Sequence, residues 1–314
     1  MTTNNTPTDL EKRFIPPSAW SNGSFVNPNS PRRNIAYNTI SSPQNHKNLI
    51  ILPGLSEFGE KYVETAMQFF EVGYNIFIID WAYQGRSKRF LKNREKRHSD
   101  GYAADLSDLD FFINNHIGNQ MPLYMLGHSM GAHLGLRYLC KQNHNVIAAS
   151  FSAPMLKIKS LNHTQTFYKY VLKLLSPVSH FYVPGGHGWL KDSRELISND
   201  IFSSDPVRRK IHNQWSEFDT ELRIGSPTLK WLKASLKSIS ILERSYQKIN
   251  TPIFLGVAEN DMLVDNDAII KAGKSIPSAR LMVFKNSKHE ILMEKDNIRT
   301  QFLDETLNLF NQSS

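Results

Sequence analysis

Short apolar runs and longer segments of helical periodicity alternate along most of this chain. The runs end at glycine, proline or polar loops, which is typical of buried parallel strands, and they lie at 35–40, 48–52, 74–79, 123–126, 146–151, 252–257 and 280–284. Apolar residues recur at helical spacing around 63–70, 103–113, 134–140, 267–274 and 298–310. Because strands that alternate with helices build parallel sheets, the pattern predicts an α/β fold with a mostly parallel central sheet flanked by helices.

The alternation stops between residues 155 and 242 and then resumes, which predicts an insertion into the core. One stretch of the insertion has apolar residues on a single helical face, at Phe167, Val171, Leu174 and Leu175. The insertion also contains three tryptophans that would either line a pocket or pack onto the core, Trp189, Trp215 and Trp231. We therefore predict an irregular leader over 1–30, a core formed by 31–154 and 243–314, and an inserted, mainly helical lid over 155–242.

The most informative local pattern is a strand, a tight turn and a helix within residues 121–139. An apolar run stops at Gly127, His128 and Ser129 follow, and helical spacing begins after Gly131. This G-x-S-x-G pattern is typical of a nucleophile elbow, where strained backbone lifts the serine hydroxyl out of the sheet. The two glycines leave room for the strand and the helix to pass closely. Ser129 is therefore the candidate nucleophile.

Two residues downstream complete a candidate catalytic set with Ser129. Asp261 follows the run 252–257 and His289 follows the run 280–284, so each lies just past the carboxyl end of a predicted strand. The order Ser, Asp, His along the chain is that of α/β-hydrolases. His289 would take the proton of the serine, and Asp261 would orient the imidazole and stabilise its charged form.

Other residues compete for the acid and base positions. Glu259 and Asp265 lie close to Asp261, although Asp265 fits better as the N-cap of a helix that starts near Asp267. Three further histidines are rivals to His289, but none of them follows the last strand, and they are His128, His133 and His187.

Backbone N–H groups are the candidates for holding a tetrahedral oxyanion. One belongs to Met130, directly after the nucleophile, and the other to Leu55, in the turn between the strand 48–52 and the first helix. Asp80 follows the next strand and is expected to anchor its loop. No histidine, cysteine or carboxylate cluster has metal-ligand spacing and no glycine-rich phosphate loop follows a strand, so we expect neither a metal nor a cofactor.

Composition narrows the class of protein. The chain has 314 residues, 40% of them hydrophobic, and one cysteine, Cys140, so no internal disulfide can form. No apolar stretch could span a bilayer, and the polar first residues contain no export signal. A net charge of +8 favours a basic cytoplasmic protein that associates reversibly with an anionic membrane surface. We expect the basic segment 88–98 to be a solvated face. The basic residues form no nucleic-acid motif, so we expect no nucleic acid partner.

Four segments carry motifs that belong together. They are Leu52-Pro53-Gly54 with Glu57 and Glu60-Lys61-Tyr62, then Asp80-Trp81 with Gln84, Gly85 and Ser87, the elbow at 127–131, and the run 289–296. This set resembles the lysophospholipase L2 and monoacylglycerol lipase group of α/β-hydrolases, from about Asn48 to the C-terminus and least in the predicted lid. The resemblance implies the α/β-hydrolase fold, a triad of Ser129, Asp261 and His289, and oxyanion donors at Leu55 and Met130.

The same resemblance implies a serine esterase that cleaves a fatty-acyl ester of a single-chain lipid, a lysophospholipid or a monoacylglycerol, through an acyl-enzyme on Ser129. The sequence departs from the group at two positions. Pro53 stands where monoacylglycerol lipases have histidine, which weighs against a monoacylglycerol, and Tyr83 stands where glycine is usual. Three alternatives stay open, namely a short-chain carboxylesterase, a hydrolase related to the serine aminopeptidases, and a non-catalytic scaffold.

Overall fold

Eight strands form one sheet in the computed structural model, which describes residues 6–161, 176–191 and 200–313. The strands are β1 Ser21–Val26, β2 Asn34–Ile40, β3 Lys47–Leu52, β4 Tyr74–Ile79, β5 Leu123–His128, β6 Val146–Ser152, β7 Ile253–Ala258 and β8 Ala279–Phe284. Their order across the sheet is β1, β2, β4, β3, β5, β6, β7, β8. The two pairs that involve β2 are antiparallel, whereas the other five are parallel. The predicted α/β class and mostly parallel sheet are confirmed.

Helices connect and cover the strands. The longer ones in the described residues are α1 Val63–Glu71, α2 Tyr102–Phe112, α3 Ser129–Leu139, α4 Arg208–Phe218, α5 Leu229–Glu243, α6 Asn266–Ser275 and α7 Asp296–Gln312. A π-helical turn, Ile113–Ile117, extends α2, and 3₁₀ turns occupy Lys12–Phe14, Gly59–Tyr62, Ser176–Val178, Thr220–Leu222, Tyr246–Lys248 and Ile291–Met293. None of the helices in this part of the chain combines the length and hydropathy that crossing a membrane requires.

The central strands are buried on both faces, which explains their uninterrupted apolar character. Leu49, Ile50 and Ile51 of β3 are fully buried in succession, and so are the apolar residues of β5 on one side of it. Strands with both faces covered read as continuous apolar runs rather than as alternating ones. The outermost strand β8 is only partly covered, and Val283 on it is exposed.

The first strand corrects the prediction of an irregular leader over residues 1–30. Ser21–Val26 forms β1 and pairs antiparallel with β2, from Ser21 opposite Thr39 to Val26 opposite Asn34. The strand has no hydrophobic pattern because Phe25 is its one buried side chain and the other positions are polar, small or exposed. An edge strand of this kind is held mainly by its backbone hydrogen bonds, which leave no hydrophobic pattern.

Residues 155–242, here called the cap block, lie between β6 and β7. Their described parts contribute α4 and α5 and add no strand to the main sheet, while the helical face predicted at 167–175 lies outside the described residues. The lid prediction remains a proposal. The block begins with a stem, residues 157–159, that pairs with the loop after β7, where Lys159 N–H donates to Leu263 and Asp265 N–H donates to Lys157.

Candidate active site

Ser129 lies at the junction of β5 and α3 in a left-handed conformation, with φ of 49°. A non-glycine residue in this region is strained and persists only where its surroundings enforce it. The neighbours of Ser129 explain why they are glycines. A Cβ atom on Gly131 would overlap the carbonyl oxygens of Leu52 and Pro53, and one on Gly127 would crowd the start of α3. The elbow therefore requires close contact between α3 and the end of β3.

The structure brings the three predicted catalytic side chains into one hydrogen-bonded chain. Ser129 Oγ lies 2.9 Å from His289 Nε2, and His289 Nδ1 lies 2.6 Å from Asp261 Oδ2. All three residues are buried. They come from the carboxyl ends of β5, β7 and β8, and this is where catalytic groups of such sheets collect. With Nδ1–H bonded to the carboxylate, His289 presents Nε2 as an acceptor for the serine proton.

Asp261 is held as a carboxylate despite its burial. Burial opposes ionisation, but the charge of His289, its hydrogen bond, and N–H groups from Val264 and Leu263 together keep the pKa of Asp261 below its usual range. The competing acids are engaged elsewhere. Glu259 accepts the N–H of Asn286, and Asp265 caps α6 through the N–H of Ala268, as predicted.

None of the rival histidines reaches the serine. His128 is buried beside His289, with ring centroids 4.8 Å apart, and burial lowers the pKa of its imidazole to about 4. His133 bonds to Ser238 behind α3, where burial lowers its pKa to about 3. His187 is exposed at the cavity wall, and its Nδ1 lies 2.7 Å from the carbonyl oxygen of Gly188.

The turn after β3, residues 53–57, faces the elbow and is here called the oxyanion loop. Leu55 borders the same cavity as Ser129 and His289, and no acceptor for its N–H is found in the described part of the chain. Met130 belongs to the first turn of α3, where backbone N–H groups have no acceptor within the helix. The carbonyl of Pro53 accepts the indole N–H of Trp81 at 2.8 Å, so this proline fixes backbone rather than offering a side chain.

A buried ionic cluster joins the oxyanion loop to the histidine loop. The ammonium of Lys61 lies 2.5 Å from Glu57 Oε1 and 2.7 Å from Glu290 Oε1. Glu57 also accepts hydrogen bonds from the N–H of Gly54 and the hydroxyl of Tyr62, each at 2.5 Å. The Lys61 ammonium lowers the pKa of Glu57 against the opposing effect of burial.

The same cluster contains the described residues that most resemble a metal site. Potential ligand atoms of Glu57, His128 and Glu290 lie within 4.8 Å of one another. The ammonium of Lys61 is already placed against both carboxylates, so it supplies the positive charge that a metal ion would bring. The donor set is therefore accounted for by an internal ion pair.

An apolar cavity of about 330 Å³ opens over Ser129 and His289. The core contributes Leu55, Leu263 and Val264 to its wall, and the cap block contributes Met155, Trp189, Leu190, Ile201, Phe202 and Ile224. The sequence left open whether the three tryptophans of the cap block line a pocket or pack onto the core, and the structure shows both situations. Trp189 lines the cavity, whereas Trp215 and Trp231 are buried in packing away from it.

Loops beside the site show one expectation confirmed and one corrected. Asp80 anchors its loop by accepting the N–H groups of Gly59 and Arg86, and burial raises its pKa to about 7. Segment 88–98 was expected to be a solvated face, but Arg97 and His98 at its end are buried. Arg97 points inward because its guanidinium has four polar partners there, which are described below.

Tyr83, which departs from the usual glycine, adopts the left-handed conformation with φ of 67°. Its hydroxyl donates to the Asp100 carboxylate at 3.0 Å, and its side chain is buried outside the cavity wall. Tyr83 in place of glycine therefore changes how the turn after β4 is supported and does not contribute to the cavity wall.

Comparison with known proteins places this geometry among hydrolases. A family model described as serine aminopeptidase, S33, matches residues 43–296. A probable lysophospholipase L2 from Haemophilus influenzae is 28% identical over 291 residues, which cover 91% of both chains. Lysophospholipase L2 from Escherichia coli K12 is 27% identical over 283 residues, which cover 86% of this chain and 82% of that protein.

A solved structure shares the fold at lower sequence identity. The crystal structure of a soluble variant of monoglyceride lipase from Saccharomyces cerevisiae, in complex with a substrate analogue, aligns with a TM-score of 0.73. It is 15% identical and the alignment covers 98% of this chain and all of that one. The predicted α/β-hydrolase fold is thereby confirmed.

Proposed function

The chain belongs to the hydrolase family described as serine aminopeptidase, S33, and we propose that it cleaves the fatty-acyl ester of a single-chain lipid. The observation that carries the proposal is the hydrogen-bonded chain Ser129–His289–Asp261 at the floor of an apolar cavity. The two lysophospholipase relatives, which match most of the chain, support a lysophospholipid as the substrate, with a monoacylglycerol as the alternative.

In the first half of the reaction Ser129 Oγ attacks the ester carbonyl while its proton passes to His289 Nε2. The carbonyl oxygen becomes an oxyanion that accepts hydrogen bonds from the N–H groups of Leu55 and Met130. Asp261 stabilises the imidazolium that has formed. The intermediate then collapses, the alcohol leaves with the proton from His289, and the acyl group remains as an ester on Ser129.

Water completes the cycle. His289, now neutral, takes a proton from a water molecule whose oxygen attacks the acyl carbonyl, and the same two N–H groups hold the second oxyanion. Collapse of this intermediate breaks the bond to Ser129 Oγ, which regains its proton from His289. The fatty acid leaves and the enzyme returns to its starting state.

The chemistry of the cavity supports an acyl chain rather than a charged group as the buried part of the substrate. Its wall carries apolar side chains from both the core and the cap block, including Met155, Trp189 and Phe202. Burial of an acyl chain contributes about 0.8 kcal/mol per methylene. We accordingly propose that residues 155–242 act as a cap that completes the acyl site over the core.

We further propose that the protein works in the cytoplasm and associates reversibly with the anionic face of a membrane. The net charge of +8 favours such contact. Lys92, His180 and Phe181 are exposed together near Lys96, whose ammonium lies over the Phe181 and Tyr182 rings at 5.5 and 4.9 Å. We call these four residues, Lys92, Lys96, His180 and Phe181, the basic patch.

A substrate panel tests the proposed reaction. Matched saturated acyl chains are supplied on glycerophosphocholine, on glycerol and on simple alcohols, and released fatty acid is measured. We expect rates that rise with chain length, and a fall of at least about 10³-fold in Ser129→Ala because triad members act as a unit. Release of no fatty acid by the wild type, or full activity of Ser129→Ala, would contradict the proposal.

The panel also separates the alternatives. The family description favours including aminoacyl amides as a second candidate class. A preference for acetyl or propionyl esters would indicate a carboxylesterase, and a preference for aminoacyl amides would indicate a peptidase. A fluorophosphonate probe that leaves Ser129 unlabelled would indicate a non-catalytic scaffold.

A further inference from the structure

The side-chain amide of Gln84 is fully committed to the oxyanion loop and to one arginine. Its Nε2 donates to the carbonyl oxygens of Gly54 at 2.8 Å and Glu57 at 2.7 Å. Its Oε1 accepts the N–H of Ser56 at 3.2 Å and the Nε–H of Arg97 at 2.8 Å. A primary amide has two donors and two lone pairs, so these four bonds satisfy it completely. Three of them hold the backbone on both sides of Leu55.

The loop needs such a restraint because its backbone is strained next to the candidate donor. Ser56 follows Leu55 directly and has φ of 63°, a left-handed conformation that L-residues other than glycine rarely adopt. The N–H of Ser56 is the group that Gln84 Oε1 accepts. The direction of the Leu55 N–H depends on this turn, and the amide of Gln84 fixes the turn from three points.

Arg97 fixes which way the amide of Gln84 faces. The arginine is fully buried, and its remaining hydrogen bonds go to the carbonyl oxygens of Ala82, at 2.9 Å, and His98. A guanidinium only donates, so the Gln84 atom facing it must be the oxygen. A flipped amide would place two N–H donors against Arg97 and leave the carbonyls of Gly54 and Glu57 without their donor.

The same guanidinium contacts the other side of the oxyanion hole. Arg97 Nη2 lies 3.6 Å from the sulfur of Met130, whose backbone N–H is the second candidate donor. Gln84 itself is presented by a tight turn in which Tyr83 before it is strained, with φ of 67°, whereas Gly85 after it adopts a φ of 55° without steric cost. Strain of this kind clusters at sites where the surrounding structure over-determines the geometry.

We propose that Gln84, oriented by Arg97, is the positioning residue of the oxyanion hole. It holds the strained turn at Ser56 so that the N–H of Leu55 points to the place where the oxyanion forms. This inference rests on the proposed function, in which the N–H groups of Leu55 and Met130 stabilise that oxyanion. Gln84 acts through the loop and does not touch the substrate.

Two variants of Gln84 separate the role of its donor group, Nε2, from that of its acceptor, Oε1. Gln84→Met keeps the size of the side chain and removes all four hydrogen bonds. Gln84→Glu keeps an acceptor for Ser56 and Arg97 but loses both donors to the loop carbonyls, and its carboxylate pairs with the buried guanidinium. The matched control is Asn45→Ala, which removes a buried amide that donates to the Tyr74 carbonyl at 2.9 Å, outside the oxyanion loop. Thermal unfolding is recorded for every variant.

The readout is the rate at which a fluorophosphonate labels Ser129, since this reaction needs the nucleophile and the oxyanion hole but no lipid. We expect both Gln84 variants to be labelled about 10–100-fold more slowly than the wild type, and Asn45→Ala to remain within about threefold. The affinity of an acyl trifluoromethyl ketone should fall in the same proportion. The kcat should fall with KM nearly constant, because the lost interaction belongs to the transition state.

The pH dependence of the labelling rate should keep its midpoint, because Gln84 makes no contact with His289 or Asp261. Labelling of both variants at the rate of Asn45→Ala, or a Gln84→Glu variant as active as the wild type, would overturn the positioning role. Failure of the wild type to react on Ser129 would instead overturn the proposed function, and the inference with it.

Discussion

The two sides of the active-site cavity are held in place by different kinds of contact. On the core side, polar groups fix the two loops beside the site, with Glu57 and Gln84 on the oxyanion loop and three contacts on Asp261. On the cap-block side, the wall segment 181–191 is held by three backbone hydrogen bonds to residues 226–229 and by side-chain hydrogen bonds that are only partly buried or exposed, such as that from the Trp189 N–H to the Glu95 carboxylate. Phe181 and Leu190 on it are 52% and 50% exposed.

The difference separates two tasks within one cavity. Catalytic groups must stay within a fraction of an ångström of their productive geometry, and buried, fully bonded polar networks provide that rigidity. An acyl chain is flexible and is recognised mainly by the apolar area that it buries, so an apolar wall whose polar restraints are less buried is sufficient for it. Substitutions on the core side should therefore change kcat, and substitutions on the cap-block side should change chain-length preference and membrane affinity.

The largest expected effect lies in the core. Asp261→Asn keeps the size of the side chain but removes the carboxylate that sets the His289 tautomer, and kcat should fall by about 10³–10⁴-fold. Steady-state kinetics on the best ester measure it. Asp265→Asn, in the same loop but engaged with α6 and Lys157, should stay within about threefold and serves as the control. Near-wild-type kcat in Asp261→Asn would contradict the assigned role.

Asp261→Asn should also change the acid stability of the protein. The pKa of Asp261 is lowered in the folded state, so its contribution is present above the unfolded value near 3.9 and disappears as pH falls through the folded pKa. The difference in unfolding free energy between wild type and variant should therefore shrink below about pH 4. Denaturant titrations of both proteins at pH 7 and pH 3 test this. A difference in unfolding free energy that is larger at pH 3 than at pH 7 would contradict a lowered pKa of Asp261.

A substitution at Gly131 of the elbow should lower the stability of the fold. Gly131→Ala puts a Cβ onto the carbonyl oxygens of Leu52 and Pro53, which are backbone atoms that cannot swing away. We expect a loss of about 2–3 kcal/mol in unfolding free energy, measured by denaturant titration. Gly273→Ala is the control, since its Cβ would meet only the flexible side chain of Leu281. Equal stability of the two variants would contradict the close approach at the elbow.

A smaller effect is expected from the cap-block wall. Trp189→Ala removes an aromatic surface from the cavity, so KM should rise about tenfold for long-chain esters and hardly at all for acetyl esters. Kinetics across chain lengths measure the difference. Phe218→Ala, an exposed aromatic of the same block outside the cavity wall, should leave both values unchanged. An equal rise in KM for short and long chains would show that this wall does not determine the preference for chain length.

The smallest effect concerns the basic patch. Lys92→Gln with Lys96→Gln should weaken binding to anionic vesicles, by about fivefold per lysine at low salt, because each lysine near such a surface contributes about 1 kcal/mol. Co-sedimentation measures it, and the effect should fade as salt rises. The control is Lys248→Gln with Lys285→Gln, which has the same net charge as the patch variant but leaves the basic patch intact. Equal loss in both pairs would mean that net charge rather than the patch governs association.

Chain order and strand ends were sufficient to predict three residues that the structure brings into one hydrogen-bonded chain. The elbow at Ser129 is a local pattern, and Asp261 and His289 each follow a strand that its own apolar run reveals. The supporting residues could not be found in this way. Gln84 bonds to carbonyl oxygens 30 and 27 positions away, and Arg97 stands at the end of a basic segment that resembles a solvated face. Any residue type supplies a carbonyl oxygen, so these contacts leave no pattern in the sequence.

The stem of the cap block has a mechanical consequence. Its backbone pairs with the residues that follow the triad acid, and the ammonium of Lys159 reaches the carbonyl oxygen of Asp261 itself at 2.5 Å. Residues 157–159 therefore cannot move without disturbing the loop that carries Asp261, so this stem belongs mechanically with the core. Amide hydrogen exchange would reveal this as slow exchange of the N–H groups of Lys159 and Asp265, because both are bonded across this pairing.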